Sequence, residues 1–225
     1  MLERKDIGDR GEELRQSAGR GCPKPVDPAG LFLDCIKVKT PSMINTSTAI
    51  VPSAGINKWV LDTVRAAVQN ALGDDVLLPE GREDEWAGLF CGNRRQAFAT
   101  DLIKELKPLS PAFGRVLGIV DIPLSHPAVN HVFGLTDPGS RISVMSLYHF
   151  RMKGETPAKI AGRASKTAIH ELGHSYGLVH CGDHKCVMFF SYNLSDTDYK
   201  ESRFCKKCLE ELSLLKSGIC ERKEV

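Results

Sequence analysis

Three observations predict an α/β fold: a single compact domain built on a mixed, twisted sheet. Short β-branched runs alternate with amphipathic helical stretches, the order that layers helices onto a sheet. One helical stretch ends in HELGHSYGLVHC, residues 170–181, which gathers three histidines and a glutamate. Four cysteines then fall in two pairs, Cys181 with Cys186 and Cys205 with Cys208, and mark a zinc-bound C-terminal subdomain. With 225 residues, 42% of them hydrophobic, and no internal repeat, the chain can bury one substantial core and does not read as an array.

Residues 1–46 are rich in Gly, Pro and charge and are read as an N-terminal extension, partly disordered. Within it GRGCPKPVDPAG has the composition of a linker, and LFLDCIKVK has enough apolar content to add one strand. From Thr48 the pattern changes, opening the main folded domain expected over residues 47–220. TAIVP is a short buried strand, and Asn57 to Leu72 a helix with Trp59, Val60, Val64, Ala67, Val68 and Ala71 on one face, stopped by Gly73. DVLL is a second strand, and Pro79 to Glu85 an acidic loop. Gln96 to Leu106 is a second helix carrying Phe98, Leu102 and Leu106 inward, followed by the strand RVLGIV.

HVFGL and RISVMSLY are strands joined by a Thr-Asp-Pro-Gly turn. Alternating Ser and apolar residues give the second strand one buried and one solvent face, and place it at the sheet edge, where an extended peptide would add its own backbone as another strand. A helix from Ala158 or Ser165 to Tyr176 carries the histidines, with Ala168, Ile169 and Leu172 on its apolar side. CKKCLEELSLLK opens the last helix, and residues 221–225 form a tail.

On a helix, His170 and His174 project from one face and both imidazoles reach one metal ion. Glu171 follows the first of them and points to the flank of the metal, where a carboxylate takes a proton from water without itself ligating. Gly177 lets the chain leave the helix at a positive φ, which swings His180 back toward the same ion. Three imidazoles leave the fourth zinc position open, the mark of a catalytic rather than a structural site. The bland alternative, ordinary helix histidines, does not account for the glycine and third histidine at this spacing.

Cys181 and Cys186 enclose GDHK, and Cys205 and Cys208 form a CxxC knuckle at a helix start, whose positive backbone dipole favours ionised thiols. Four thiolates in two pairs fit a closed tetrahedral zinc site, structural in kind. Two disulfides or four free thiols are the competing readings. The opening MLERKDIGDRGEE is charged throughout, without the apolar core of a signal peptide, and no later segment has a membrane-spanning length; a reducing cytoplasm is therefore expected, and zinc preferred over disulfides. Cys22, Cys35, Cys91 and Cys220 lack metal-ligand spacing and are read as free or buried thiols.

The net charge is +2 with both signs interspersed, which leaves no electrostatic footprint for nucleic acid and argues against a zinc-ribbon binder built on the cysteines. Lys206, Lys207, Arg222 and Lys223 are read as a solvated face. His126, His131, His149 and His184 are read as surface or hydrogen-bonded histidines, although His184, inside the cysteine loop, is placed to tune that site. Tyr192 is read as a packed or surface tyrosine in preference to an oxyanion donor.

HELGHSYGLVHC, then Cys186, Val187 and Met188, then CKKC, resembles the archaemetzincins, a family of the metzincin clan of zinc metallopeptidases. The segments NRRQAFATDLIKEL, RVLGIVDIPLS, NHVFGLTD and RISVMSLYHF are similar in order and character to that family's catalytic domain, so the likeness runs from Thr48 to Leu215. Residues 1–46 have no counterpart in it. The resemblance implies a zincin-like α+β arrangement in a metzincin-type domain, with two zinc ions, one catalytic on His170, His174 and His180 and one structural on Cys181, Cys186, Cys205 and Cys208. It further implies Glu171 as general base, Met188 as a methionine turn beneath the metal, and peptide or protein substrates cleaved with aminopeptidase-like preference for short chains. Met188 also reads simply as core filler in VMFF; both readings bury it. A rival function is a zinc-stabilised peptide-binding protein with little or no catalysis, against which the intact Glu171 argues. Oligomeric state is not legible.

Overall fold

The computed structural model describes residues 47–79, 96–151 and 154–218. The extension over residues 1–46 with its linker and strand, most of the acidic loop, the C-terminal tail, and Cys22, Cys35, Cys91 and Cys220 lie outside the described residues.

Five strands form the main sheet. β1 (Thr48–Pro52) pairs in parallel with β2 (Val76–Leu77) on one side and β4 (Arg115–Val120) on the other. β4 pairs in parallel with β8 (Ile142–Ser146), and β8 pairs antiparallel with β7 (Gly134–Asp137), giving the order β2-β1-β4-β8-β7. A smaller sheet joins β3 (Ala97–Phe98), β5 (Leu124–His126) and β6 (Val129–Val132).

Both faces of the main sheet are covered, which is why its central strands read as nearly continuous apolar runs. Ile50, Leu117, Ile119 and Met145 pack on one face under the helices α1 (Lys58–Leu72) and α3 (Pro157–Ser175). Ala49, Val51, Val116, Ile142 and Val144 pack on the other with Leu102, Ile103 and Leu106 of α2 (Ala99–Leu106). The C-terminal part adds α4 (Leu194–Tyr199) and α5 (Lys206–Lys216), whose Cys208 and Leu212 join the α3 side of the core.

α1 begins at Asn57, whose side chain accepts from Trp59 N, and ends at Gly73 with φ 68°. Its buried stripe is Val60, Val64, Val68 and Leu72; Trp59, expected inward, is half exposed because its position falls outside that four-residue spacing. The helix expected from Gln96 starts only at Ala99, since Ala97 and Phe98 are drawn into pairing with β5. HVFGL is split at Phe133 between β6 and β7. α4 was not apparent in the sequence despite its capping box, Asn193 with Asp196.

The edge expectation is corrected. RISVMSLY supplies β8, which is internal: every residue from Ile142 to Ser146 is buried, and Ser143 and Ser146 are covered on opposite faces rather than turned to water. Ser143 meets the backbone of α3 and Ser146 donates to Ile122 O, so their hydroxyls are satisfied inside the protein. β7 is the edge strand, and all four of its residues are half-buried.

Candidate metal centres

α3 opens at Thr156, which caps Lys159 N, with Pro157 in the first turn, and runs along the sheet face so that His170 and Glu171 are buried and His174 is partly exposed. It ends in a Schellman motif: Leu178 N bonds Gly173 O and Gly177 N bonds His174 O, with Gly177 at φ 100°. The turn so formed points Leu178 O back at His174, whose Nδ1 donates to it at 2.8 Å. His170 Nδ1 makes the equivalent bond to Val187 O, also 2.8 Å. Each ring thus has its proton on Nδ1 and a lone pair on Nε2.

Those Nε2 atoms converge. His174 Nε2 lies 3.1 Å from His170 Nε2 and 3.2 Å from His180 Nε2. With the Nδ1 protons of His170 and His174 committed elsewhere, the His170–His174 contact brings lone pairs together beside the His180 ring, an arrangement that asks for a cation. A tetrahedral zinc with nitrogen ligands at about 2.05 Å has ligand–ligand edges of about 3.3 Å, close to what the rings present. Burial and the neighbouring imidazole push His174 down to about 4. Burial also lowers His170 well below, and His180 below, the ordinary histidine value, so all three are neutral and able to ligate near pH 7.

Glu171 lies beside this cluster, 7% exposed. Burial raises its carboxyl to about 7, against the opposing pull of the Thr136 hydroxyl and the Lys200 ammonium. Thr136 Oγ1 lies 2.7 Å from Glu171 Oε2. On the other side β7 passes so close that a Cβ on Gly134 would lie 2.6 Å from Glu171 Oε1. Lys200 is itself buried, its ammonium donating to Phe189 O at 3.0 Å and lying 3.5 Å from His170 Nδ1. Its own value falls to about 8 through burial, with Glu171 drawing it back up.

Cys181, Cys186, Cys205 and Cys208 bring their sulfurs together within 4.8 Å of one another, and none is disulfide-bonded. The Cys181–Cys205 separation is 3.7 Å, against edges of about 3.8 Å in a tetrahedral site with zinc–sulfur bonds of about 2.3 Å. Backbone N–H groups of Asp183 and Cys205 point at Cys181 and Cys186 sulfur. Among the metal-free thiols a hydrogen bond from Cys208 lowers Cys186 to about 5 and raises Cys208.

Met188 is fully buried with its thioether against α3, where a Cβ on Gly173 would meet Sδ at 2.5 Å. Its carbonyl accepts from Cys181 N at 2.9 Å, tying the segment after His180 to the loop below. Tyr192, 63% exposed, packs edge-on against Phe190, which packs on the His180 ring at 4.9 Å. His126 accepts from Ala128 N, His131 and His149 pack together at 5.3 Å, and His184 lies over Phe189 at 4.3 Å; none joins either cluster. Thr136, Gly134, Lys200 and Phe190 were missed from sequence, since each belongs to the site only through tertiary contact.

A family model described as peptidase family M54 matches residues 55–214. An archaemetzincin of Methanocaldococcus jannaschii is 33% identical over 167 residues, 72% of this chain and 90% of that protein. One of Pyrococcus abyssi is 39% identical over 129 residues, 55% of this chain and 69% of that protein. Among solved structures, an archaemetzincin from Methanopyrus kandleri superimposes with a TM-score of 0.68 at 29% identity, covering 79% of this chain and 98% of its own.

Proposed function

Because the chain belongs to peptidase family M54, the archaemetzincin metallopeptidases, we propose that it hydrolyses peptide bonds with His170, His174 and His180 holding a catalytic zinc and Glu171 serving as general base. The convergence of three histidine Nε2 atoms, with His170 and His174 each fixed by an Nδ1–H bond to a carbonyl, supports this reading most strongly. Zinc bound there supplies Lewis-acid polarisation of the scissile carbonyl and lowers the pKa of water to about 7. Glu171 takes the proton from the attacking water and delivers it to the leaving amine. Gly134 gives its carboxylate room, and Lys200 holds Phe189 O, and with it the loop beside the site, in place.

A second zinc on Cys181, Cys186, Cys205 and Cys208 is structural in this account, closing the loop after His180 onto α5. Met188 serves as the methionine turn, its thioether supporting α3 at Gly173. Residues 47–220 make up the catalytic domain, with 1–46 an extension and 221–225 a tail. Among the described residues no helix is long and apolar enough to cross a membrane, and four thiols kept for metal suit a reducing cytoplasm. Short peptides trimmed from the amino terminus are the finer substrate reading. Digestion of a peptide library, read by mass spectrometry beside Glu171→Gln, tests both levels: new termini made by the wild type and not by the variant support hydrolysis, and their positions decide exo- from endopeptidase. No cleavage by zinc-loaded wild type rejects the enzyme reading.

A further inference from the structure

We infer that Thr136 is the positioning residue for the general base: its hydroxyl, presented by edge strand β7, fixes the Glu171 carboxylate in the orientation from which it receives the proton. The inference rests on the assignment of Glu171 made above.

A glutamate has three rotatable bonds, and the backbone of α3 alone does not orient its carboxylate. Two residues of β7 do so from opposite ends. At Gly134 the strand passes within 2.6 Å of Oε1, measured from where a Cβ would stand, so only a glycine leaves that oxygen its place. At Thr136 the hydroxyl is 2.7 Å from Oε2 and 2.9 Å from the backbone oxygen of Glu171. A hydroxyl has one proton, and a charged acceptor outcompetes a neutral one, so Thr136 donates to Oε2. Ser143 Oγ, 3.0 Å from Thr136 Oγ1 and 3.3 Å from Glu171 O, supplies the next proton of the network from the neighbouring strand β8. Thr136 is β-branched, which restricts its own χ1 and lets it hold a direction where a serine would have more freedom. With Oε2 engaged, Oε1 is the oxygen that meets the proton of the attacking water. The contact is made to the reacting group and not to the metal, so its loss should spare zinc binding.

The test uses full-length, zinc-loaded Thr136→Val, Thr136→Ala and Thr136→Ser, assayed on a fluorogenic peptide chosen from the library digestion. Valine keeps the branched shape, alanine covers the case in which valine fails to fold, and serine keeps the donor. The expected result is a kcat lower by about 10- to 100-fold in the valine and alanine variants, with KM and zinc content unchanged, and a serine variant within about threefold of wild type. Crystals of the metal-free variants should show the Glu171 carboxylate displaced in valine and alanine and in place in serine. A wild-type kcat in both donor-less variants, or a serine variant as slow as they are, overturns the inference. Glu171→Gln is run alongside: full activity there overturns the assignment of the base, whereas an inactive glutamine variant beside fully active valine and alanine variants overturns only the role of Thr136.

Discussion

His170 Nδ1 donates to the carbonyl oxygen of Val187 at 2.8 Å, and Val187 is the residue after Cys186. The ring that heads the histidine cluster is therefore oriented by a peptide group adjoining the cysteine cluster. A second link runs through Met188 O to Cys181 N, one residue from His180. Both joints are short and the first is buried, so the two clusters form one framework.

Cys208→Ser should therefore affect both. The buried Cys208 leaves the four-sulfur cluster with three thiols, and the loop bearing Val187 loses its anchor on α5. Zinc content should fall, and affinity at the histidine cluster, measured by competition with a chromophoric chelator, should weaken by about 10- to 100-fold. An unchanged affinity there would show the clusters to be independent.

Gly134→Ala should separate activity from stability. Its Cβ would stand 2.6 Å from Oε1 and 2.7 Å from both Cδ and Cγ of Glu171, with no backbone atom as close, so the glutamate side chain must swing away from the position that β7 now leaves it. Turnover is expected to drop at least about tenfold while the unfolding free energy changes by less than about 1 kcal/mol. Wild-type turnover would mean that Glu171 has freedom the close approach of β7 denies it.

Chelation should proceed in two stages. The three imidazoles leave a position open to solvent and exchange, whereas four thiolates close their site. Activity should disappear with the first equivalent of metal removed, with far-ultraviolet circular dichroism unchanged; loss of fold and activity together would contradict two distinct centres.

Arg163, 3% exposed, donates to Asp198 at 2.7 and 2.6 Å and also reaches Glu155 and Phe150 O. Bonding to Arg163 lowers the Asp198 carboxyl below its ordinary value. A depressed folded-state value adds stability above the unfolded pKa near 4 and loses it as pH falls through the folded value. Asp198→Asn should cost about 1–3 kcal/mol at pH 7 by urea unfolding, a gap that narrows only as pH falls below the unfolded pKa near 4 toward the lowered folded-state value. A gap independent of pH would assign the pair no ionic role.

Much of this was legible in the chain because its cause is local. Asn57, Gly73 and Gly177 announce helix ends through their own backbone and side-chain preferences, and the spacing of His170, His174 and His180 is a statement about one helix and its exit turn. What escaped depends on partners distant in sequence. β8 reads as a half-exposed strand because Ser143 and Ser146 are polar, yet both hydroxyls find acceptors inside. Ala97 and Phe98 join a helix by pattern and a strand by pairing with residues 124 and 125. Lys200 carries no local signal in the sequence and is buried against Phe189 O and the back of His170. No local preference encodes a buried cation.

The central claim is that three imidazoles and four thiolates hold two separate zinc ions, the first with a position free of protein. Anomalous diffraction at the zinc edge from crystals of the purified protein tests it directly. The account predicts two peaks, one within about 2.1 Å of Nε2 of His170, His174 and His180 with no fourth protein ligand, the other about 2.3 Å from the sulfurs of Cys181, Cys186, Cys205 and Cys208. Absence of the first peak, or a protein side chain completing its coordination, would contradict it.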